Sequence, residues 1–382
     1  MLEPQTEIRD DSREWRPRPT LSGHDYTHPE VYAQEQELIW YGDNWVCLGR
    51  SEEIANPGDY VARDLAGESV FLTRNEGGKL RAFYNVCSHR GTRFLDEGTG
   101  SVRKAFKCPY HAWTYDLDGC LIGSPNVKED ERFNRADYPL HGVGVDEYAG
   151  FVFVNLSKEP TPLVEFLDDS TETMTVFERF HMEDLRIGKQ IIYEVHANWK
   201  ILVENYNECL HCPQVHPELV QVVPLFRFGE VWDEETRDDG NNMIEGATSF
   251  TVTGKSKLPR LPGILDEDVN RYYGSYQFPN LALNLHPDCV MYYILYPKGP
   301  DHTTVVSEYL FGPETIADPD FEPDPVVELW DTISWQDWDV CQRVQKGIHS
   351  RAYTTGVYPR QDRFLFNFNQ EYRRAMGRPL AP

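Results

Sequence analysis

The sequence predicts an α+β protein, with a small all-β domain followed by a larger domain that combines a β-sheet with long helices. Short strand patterns separated by turn signals occupy the region from 45 to about 156. Alternating strand patterns recur between 243 and 311, with helical patterns before and after them. The length of 382 residues suits two domains of ordinary size.

The N-terminal segment up to residue 26 is polar and contains prolines, which predicts an irregular arm. A helix is predicted to begin at Thr27 and to end near Tyr41. Thr27 is a suitable N-cap for this helix, and Pro29 falls in its first turn.

The all-β region contains three further local signals. Asn75-Glu-Gly-Gly between the strand patterns 69–74 and 80–86 predicts a hairpin. Residues 115–119 predict another turn, and the apolar run at 148–156 predicts a closing strand.

The C-terminal region begins with an acidic, helix-prone stretch at 157–185, which contains a proline linker. The elements predicted after it are a strand at 187–196, a helix at 199–210 stopped by Pro213, strands at 243–252, 282–285, 290–296 and 305–311, and a helix from Asp324 to about Gly347. A sheet with two long helices makes this region α+β.

Composition excludes several classes of function. The net charge is 37 − 62 = −25, so nucleic acids and anionic membranes would be repelled. No uncharged apolar run reaches the length of a membrane span, and the first residues lack the features of a signal peptide. Eight cysteines in 382 residues do not make a disulfide scaffold. We therefore expect a cytoplasmic protein with no membrane and no nucleic-acid partner.

Two short segments of the all-β region each combine one cysteine with one histidine. Cys87-Ser-His89 is followed, eighteen residues later, by Cys108-Pro-Tyr-His111. A Cys₂His₂ zinc finger would place both cysteines in one segment, whereas a Rieske [2Fe–2S] centre needs two thiolates on one iron and two imidazoles on the other. Two loops that meet at their tips, each with one cysteine and one histidine, can supply the two thiolates and two imidazoles of a Rieske centre. The pattern therefore favours a Rieske centre, with a mixed zinc site as the alternative.

A second group of candidate ligands lies on and just after the helix predicted at 199–210. Glu204, Glu208 and His211 are spaced by four and three residues, which puts them on one helix face. His216 follows after a proline break. Two histidines joined by a bend can converge on one ion, although two surface histidines beside a proline turn would show the same spacing.

A non-heme iron(II) oxygenase site also needs one carboxylate beside the two histidines. Asp337 is the candidate, because it lies on the apolar stripe of the last long helix. Steps of three and four alternate along that stripe: Val327, Trp330, Ser334, Asp337, Cys341, Val344 and Ile348. A carboxylate on the buried face is costly unless it is paired or bound to a metal. A buried salt bridge is the alternative, and Asp331 and Asp339, which lie off the stripe, are expected in solvent.

In combination, these motifs resemble the α-subunits of Rieske non-heme iron oxygenases over nearly the whole chain. The residues that carry the resemblance are Asn85-Val-Cys-Ser-His-Arg-Gly91, Cys108-Pro-Tyr-His-Ala-Trp113, Glu204-Asn-Tyr-Asn-Glu-Cys-Leu-His-Cys-Pro-Gln-Val-His216, Phe278-Pro-Asn280 and Gln336-Asp337-Trp338. The resemblance implies a Rieske [2Fe–2S] domain at 45–158 and a catalytic domain at 159–382. The catalytic domain would be of the helix-grip (START/Bet v1-like) type, with an antiparallel sheet and long helices. The N-terminal arm and helix, 1–44, would pack with it.

The resemblance also implies the ligands of two metal centres. Cys87 and Cys108 would hold one cluster iron and His89 and His111 the other, while His211, His216 and Asp337 would hold a mononuclear Fe(II) that uses O₂ as co-substrate.

Glu208 stands where the family usually has an aspartate, three residues before the first iron histidine. In the family, that residue hydrogen-bonds a Rieske histidine of the neighbouring subunit and bridges the two redox centres. A glutamate here is similar to the subgroup that acts on quaternary ammonium compounds such as carnitine, glycine betaine, choline and stachydrine. The bridge requires an oligomer, for which the family suggests a homotrimer. A role limited to orienting His211 is the alternative for Glu208.

These features predict a terminal oxygenase component that hydroxylates or demethylates a small molecule, with quaternary ammonium compounds as the favoured class. The chain shows no flavin or dinucleotide fingerprint, so electrons from NAD(P)H would arrive through a separate flavin/iron–sulfur reductase or a ferredoxin. An aromatic ring-hydroxylating dioxygenase or O-demethylase is the alternative within the same fold. A Rieske electron carrier is more remote, because most of the chain lies outside the predicted Rieske domain.

Overall fold

The computed structural model of the protein describes residues 16–130, 132–168, 178–231 and 240–381. The chain divides into two compact units, one formed by residues 40–166 and the other by the chain up to 39 and from 167 onward. The predicted α+β class is confirmed. No helix in the described part of the chain is long and apolar enough to cross a membrane.

The described N-terminal part contains three helical segments instead of the single helix predicted. Its elements are β1 (Arg18–Ser22), α1 (Gly23–Thr27), α2 (Pro29–Glu35) and a π-helical turn (Gln36–Trp40). Thr27 ends α1 and does not cap α2, because the extended backbone that precedes Pro29 falls on His28.

The unit formed by residues 40–166 is largely β-structure. Its strands are β2 (Val46–Arg50), β3 (Asp59–Leu65), β4 (Glu68–Arg74), β5 (Leu80–Tyr84), β6 (Gly98–Ser101), β7 (Ala105–Lys107), β8 (Thr114–Asp116), β9 (Leu121–Gly123), β10 (Gly142–Tyr148) and β11 (Phe151–Asn155). Seven of them form an antiparallel sheet in the order β2-β11-β10-β5-β4-β3-β6, and β7-β8-β9 form a second sheet.

The turns of this unit have local causes that the sequence reveals. The β4–β5 hairpin is confirmed, and the Asn75 side-chain oxygen accepts hydrogen bonds from the backbone N–H groups of Gly77 and Lys79. The turn after β8 is confirmed as well. Gly119 has φ +82°, and a Cβ atom there would lie 2.5 Å from the Phe83 ring, so the position requires glycine.

The unit that contains the chain from 167 onward is built on a six-stranded antiparallel sheet in the order β12-β17-β16-β15-β14-β13. Its strands are β12 (Arg186–Val195), β13 (Asn241–Asn242), β14 (Arg271–Gln277), β15 (Leu281–Leu285), β16 (Val290–Gly299), β17 (His302–Phe311) and β18 (Thr355–Tyr358), the last of which pairs with β1. From residue 163 onward, the α-helices whose bounds lie in the described residues are α3 (Leu163–Asp168), α4 (Trp199–Tyr206), α5 (Cys212–Val215), α6 (Leu219–Val222), α7 (Pro313–Ala317), α8 (Asp324–Ile348) and α9 (Arg363–Ala375).

Two predicted elements of this unit are wrong, and part of a third lies outside the described residues. The strand predicted at 243–252 is irregular, and β14 was not predicted. The helix predicted to reach residue 210 ends at Tyr206, where Asn207 forms the C-cap. The predicted acidic helical stretch includes 169–177, which the structure does not describe.

A buried ion pair fixes the start of α4 against α2. Lys200 Nζ lies 2.5 Å from Glu35 Oε1, and both side chains are fully buried. The Trp199 indole N–H and the Tyr372 hydroxyl also donate to the Glu35 carboxylate, at 2.9 and 2.8 Å. These bonds satisfy the carboxylate that burial would otherwise penalise. They anchor the first turn of the helix that leads to Glu208, which begins after its N-cap Asn198.

Candidate metal centres

The two cysteine–histidine loops have the same backbone design. In each, the fourth residue after the cysteine donates its N–H to the cysteine carbonyl, at 2.9 Å for Gly91 and 3.1 Å for Ala112. Both residues have positive φ, +69° and +57°. The loop that follows β5 and the loop between β7 and β8 therefore form the same kind of tight turn after Cys87 and Cys108.

The four predicted cluster ligands come together as two pairs. The Cys87 and Cys108 side chains interact and are buried in a hydrophobic cluster that includes Phe71 and Phe106. The rings of His89 and His111 lie 4.7 Å apart, centroid to centroid, and His89 is exposed while His111 is partly buried.

This pairing fits a two-iron cluster better than a single ion. Among the described residues, no three of these four offer ligand atoms within 4.8 Å of one another. A single tetrahedral zinc ion would require such a convergence. Paired thiolates inside and paired imidazoles at the surface are the donor set of a Rieske cluster, whose histidine side is then the accessible edge for electrons.

Aromatic side chains enclose the pair of loops. The Trp113 indole stacks on the His89 ring at 4.6 Å and 11°, so packing is the role seen for this residue. The Tyr115 hydroxyl lies 3.3 Å from Cys87 Sγ and accepts the Ser88 N–H at 3.1 Å. The Ser88 N–H uses one lone pair of the hydroxyl oxygen, and the hydroxyl hydrogen remains available to donate to the sulfur. Burial raises the pKa of the Cys87 thiol.

The second predicted group also comes together. His211 Nε2 and His216 Nε2 lie 3.1 Å apart, and Asp337 Oδ1 lies 3.2 and 2.8 Å from them. Metal–ligand bonds of about 2.1 Å at right angles place ligand atoms about 3.0 Å apart. The three atoms therefore have the spacing of one face of an octahedral ion.

The electrostatics of this group favour a positive charge between the three side chains. Burial opposes a charge on His211, but hydrogen bonds to Asp337 and Glu208 raise the pKa of the imidazole to about 10. Against the effect of burial, the hydrogen bonds from both histidines hold the pKa of Asp337 below its usual value. The carboxylates that stabilise an imidazolium would also stabilise a divalent cation.

The stripe that predicted Asp337 is buried along α8, with one exception. Val327, Ser334, Cys341 and other members have little exposure, whereas Val344 is 41% exposed. Asp339 is exposed as expected. Asp331 is partly buried and accepts a hydrogen bond from the Tyr193 hydroxyl at 2.7 Å, so its predicted solvation is wrong.

The δ nitrogens of both histidines have partners, which leaves their ε nitrogens facing Asp337. His211 Nδ1 lies 2.6 Å from Glu208 Oε1, and the backbone N–H groups of Leu210 and His211 donate to the other Glu208 oxygen. His216 Nδ1 lies 2.6 Å from Gln336 Oε1. The contact between Glu208 and His211 shows that Glu208 orients this ring.

A disulfide between Cys209 and Cys212 closes a short loop that contains His211 and directly follows Glu208. The Cys-x-x-Cys spacing was visible in the sequence, but a low cysteine content gave no reason to expect the bond. Gln336 and Tyr115 were likewise not assigned contacts from sequence. Glu204, which lies one helical turn before Glu208, accepts hydrogen bonds from two tyrosine hydroxyls and does not join the group formed by His211, His216 and Asp337.

Comparison with known proteins decides the family. Residues 182–378 match the ring hydroxylating alpha subunit (catalytic domain) family, and residues 44–147 match the Rieske [2Fe-2S] domain. The chain belongs to the Rieske non-heme iron oxygenase α-subunit family. It is therefore an oxidoreductase with one Rieske [2Fe–2S] cluster and one mononuclear iron, and it uses O₂. As an oxygenase component, it takes electrons from a separate reductase and acts on a small molecule.

Named relatives of this oxygenase cover most of its length. The carnitine monooxygenase oxygenase subunit of Acinetobacter pittii is 31% identical over 341 residues, which are 86% of this chain and 85% of the relative. The glycine betaine monooxygenase oxygenase subunit of Chromohalobacter salexigens is 30% identical and covers 89% of this chain and 81% of its own. One solved structure is that of a quaternary ammonium Rieske monooxygenase, which was studied for carnitine oxidation and inter-subunit electron transfer. It is 26% identical in sequence to this chain, the match covers 88% of each chain, and the two structures superpose with a TM-score of 0.70.

Proposed function

We propose that this oxygenase hydroxylates a carbon next to the nitrogen of a quaternary ammonium compound. The observation that carries the oxygenase chemistry is the set of Nε2 and carboxylate atoms about 3 Å apart at His211, His216 and Asp337. The substrate class rests on the relatives, which are named for carnitine and glycine betaine, and on the glutamate at position 208.

We assign the mononuclear iron to His211, His216 and Asp337, and the Rieske cluster to Cys87, His89, Cys108 and His111. When bound, an iron with two imidazoles and one carboxylate supplies open positions for O₂ activation, and the cluster supplies single electrons. The protein contributes the geometry. Glu208 holds the His211 ring through Nδ1, and α8 carries Asp337 to within hydrogen-bond distance of both histidines.

The overall reaction balances with the electrons that the reductase supplies. A C–H bond, O₂, two electrons and two protons give a C–OH bond and water. Hydroxylation of a carbon attached to a quaternary nitrogen gives a carbinolamine. Its O–H and C–N bonds then break to release an aldehyde, a tertiary amine and a proton. The breakdown of the carbinolamine needs no further catalysis by the protein.

Aromatic side chains on the same side of the sheet as Asp337 support a cationic substrate. The Tyr293 hydroxyl lies 2.6 Å from Ser334 Oγ, one helical turn from Asp337, and the Tyr293 ring lies 6.4 Å from the Trp330 indole. A quaternary ammonium group cannot donate conventional N–H hydrogen bonds, so aromatic faces are its natural partners. We propose that Tyr293 and Trp330 contribute such faces.

We also propose that Glu208 carries electrons from a Rieske histidine of a neighbouring subunit, and that the protein is a homotrimer. Two exposed apolar side chains support an interface beside Glu208. Leu210 is 41% exposed and Phe228 is 75% exposed. Leu210 lies next to the turn that follows Phe228, because a Cβ atom on Gly229 would be 2.9 Å from the Leu210 side chain. Exposed apolar groups next to a functional residue mark an interaction surface. We place the enzyme in the cytoplasm, where an NAD(P)H-dependent reductase can supply its electrons.

The test is a co-oxidation screen with a reductase partner. Carnitine, glycine betaine, choline and stachydrine are compared with simple aromatics, and O₂ uptake is measured together with aldehyde and amine release. We expect uptake coupled to an aldehyde for at least one ammonium compound. A cis-diol from an aromatic ring, with no ammonium compound oxidised, would contradict the substrate class. Reduction of the cluster without oxidation of any substrate would indicate an electron carrier instead.

The ligand assignment has its own matched test. Asp337→Ala should lose the mononuclear iron and keep the cluster absorption. Asp339→Ala removes an exposed aspartate from the same helix and should keep both. Equal iron content in the two variants would refute the role of Asp337.

A further inference from the structure

His216 is the more deeply buried of the two histidines, and its ring is held by an amide. Its side chain is 1% exposed, against 14% for His211. His216 Nδ1 lies 2.6 Å from Gln336 Oε1. A glutamine amide can present either its oxygen or its NH₂ group, so this contact alone does not say which nitrogen of His216 carries the proton.

A third side chain removes that ambiguity. Gln336 Nε2 donates to Glu218 Oε2 at 3.2 Å. A carboxylate only accepts hydrogen bonds, so the NH₂ group of Gln336 must face Glu218. The amide oxygen must then face His216, where it accepts a hydrogen bond from Nδ1–H. A neutral imidazole protonated on Nδ1 has its lone pair on Nε2, which points at Asp337 Oδ1.

We propose that Glu218 and Gln336 form a positioning chain that sets the tautomer of His216 and thereby prepares its Nε2 as a metal ligand. This inference rests on the proposed assignment of His216 to the mononuclear site. Glu218 touches no ligand in that assignment, and it acts through Gln336. The chain also makes the two histidines unequal, because His211 donates to a carboxylate and His216 donates to a neutral amide. A carboxylate partner makes an imidazole a stronger donor than an amide partner does.

Variants at position 336 test whether His216 needs an acceptor. Protein with its cluster in place and its mononuclear site stripped by a chelator is titrated with Co²⁺, and the affinity is read from the visible bands of the bound metal. Gln336→Leu removes the acceptor and should weaken Co²⁺ binding roughly 10- to 100-fold. Gln336→Glu keeps an acceptor and should bind within roughly threefold of the natural protein or more tightly. Cluster absorption and circular dichroism verify that each variant is folded.

A double-mutant cycle tests whether Glu218 orients the amide. Glu218→Lys replaces an acceptor by a donor, which favours the flipped amide and places NH₂ against His216. In the Gln336→Glu background there is no amide to flip, and both oxygens accept. The loss caused by Glu218→Lys should therefore be roughly tenfold greater in the natural background than in the Gln336→Glu background. A long-range effect of charge on Co²⁺ would act in both backgrounds, and equal losses would overturn the proposal.

Two further variants separate this inference from the proposed function. His216→Ala should abolish Co²⁺ binding at the site if the ligand assignment is right. Full binding by that variant would overturn the assignment and the positioning chain together. Loss of binding in His216→Ala, with unchanged affinity in Gln336→Leu, would overturn the positioning chain alone. Asp339→Asn, on the exposed side of α8, is the matched control and should bind Co²⁺ as the natural protein does.

Discussion

The carboxyl group of Glu204 gives a pH-dependent prediction. Its Oε1 accepts hydrogen bonds from the hydroxyls of Tyr26 and Tyr358, both at 2.7 Å. Burial raises the pKa of Glu204 to about 7, from an ordinary 4.5. Glu204→Gln keeps an oxygen that accepts both hydrogen bonds and removes the charge. We predict that this variant is more stable than the natural protein at alkaline pH and equally stable at acid pH.

The sign and the magnitude follow from proton binding. Between pH 4.5 and 7, folded protein holds a proton on Glu204 that the unfolded chain has released, so stability falls as the pH rises through this window. The difference between the two pKa values corresponds to about 3 kcal/mol above pH 7. Glu204 is partly exposed, so solvent screening reduces the expected effect to roughly 2 kcal/mol.

The measurement is urea unfolding of the natural protein and the variant at pH 5 and pH 8, following the unit that contains α4. Glu204→Gln should raise the free energy of unfolding by roughly 2 kcal/mol at pH 8 and change it little at pH 5. Glu328→Gln, which replaces an exposed glutamate on α8, is the control and should have the same small effect at both pH values. A difference for Glu204→Gln that does not depend on pH would refute the reasoning.

Three more predictions follow from single contacts. Tyr115→Phe removes a hydrogen bond to the Cys87 sulfur, which favours the reduced cluster. An EPR-monitored redox titration should therefore show a cluster reduction potential lower by roughly 40 mV, and an unchanged potential would count against that bond. Lys200→Met leaves the buried Glu35 carboxylate without its cation and should cost about 3 kcal/mol or more in thermal unfolding, while adding Glu35→Gln should recover part of the loss. The thiols are titrated in denatured protein that has been freed of iron. Six of the eight cysteines should react before reduction and all eight after it. Eight reactive thiols without reduction would contradict the disulfide.

The metal centres were more predictable than the elements around them. Cys87, His89, Cys108 and His111 could be proposed from ligand type and order, because the chemistry of a Rieske cluster fixes both. Asp337 could be proposed from helical period alone, because a carboxylate on a buried stripe needs a partner.

Tertiary contacts determine the elements and side-chain partners that could not be predicted from the sequence. The alternating pattern at 243–252 suggested a strand. In the structure, the Asn270 side chain donates to the carbonyls of Ile244 and Ala247, and Phe250 stacks on the Trp330 indole at 4.9 Å. These contacts hold the segment in an irregular path. The strand at 271–277 was missed because polar residues interrupt its tyrosines. The contacts of Gln336 with His216 and Glu218 join positions more than a hundred residues apart, which no local pattern contains.

The route of electrons through Glu208 is tested most directly by a single-turnover measurement. Fully reduced protein with bound substrate is mixed with O₂, and the oxidation of the Rieske cluster is followed by its absorption. Glu208→Ala should retain the cluster. It is loaded with excess Fe(II), because loss of the His211 acceptor weakens metal binding, and it should then oxidise its cluster roughly tenfold or more slowly. Glu208→Gln, which keeps an acceptor for His211 Nδ1, separates loss of the bridge from loss of ring orientation. Cluster oxidation by Glu208→Ala at the rate of the natural protein would contradict the proposed route.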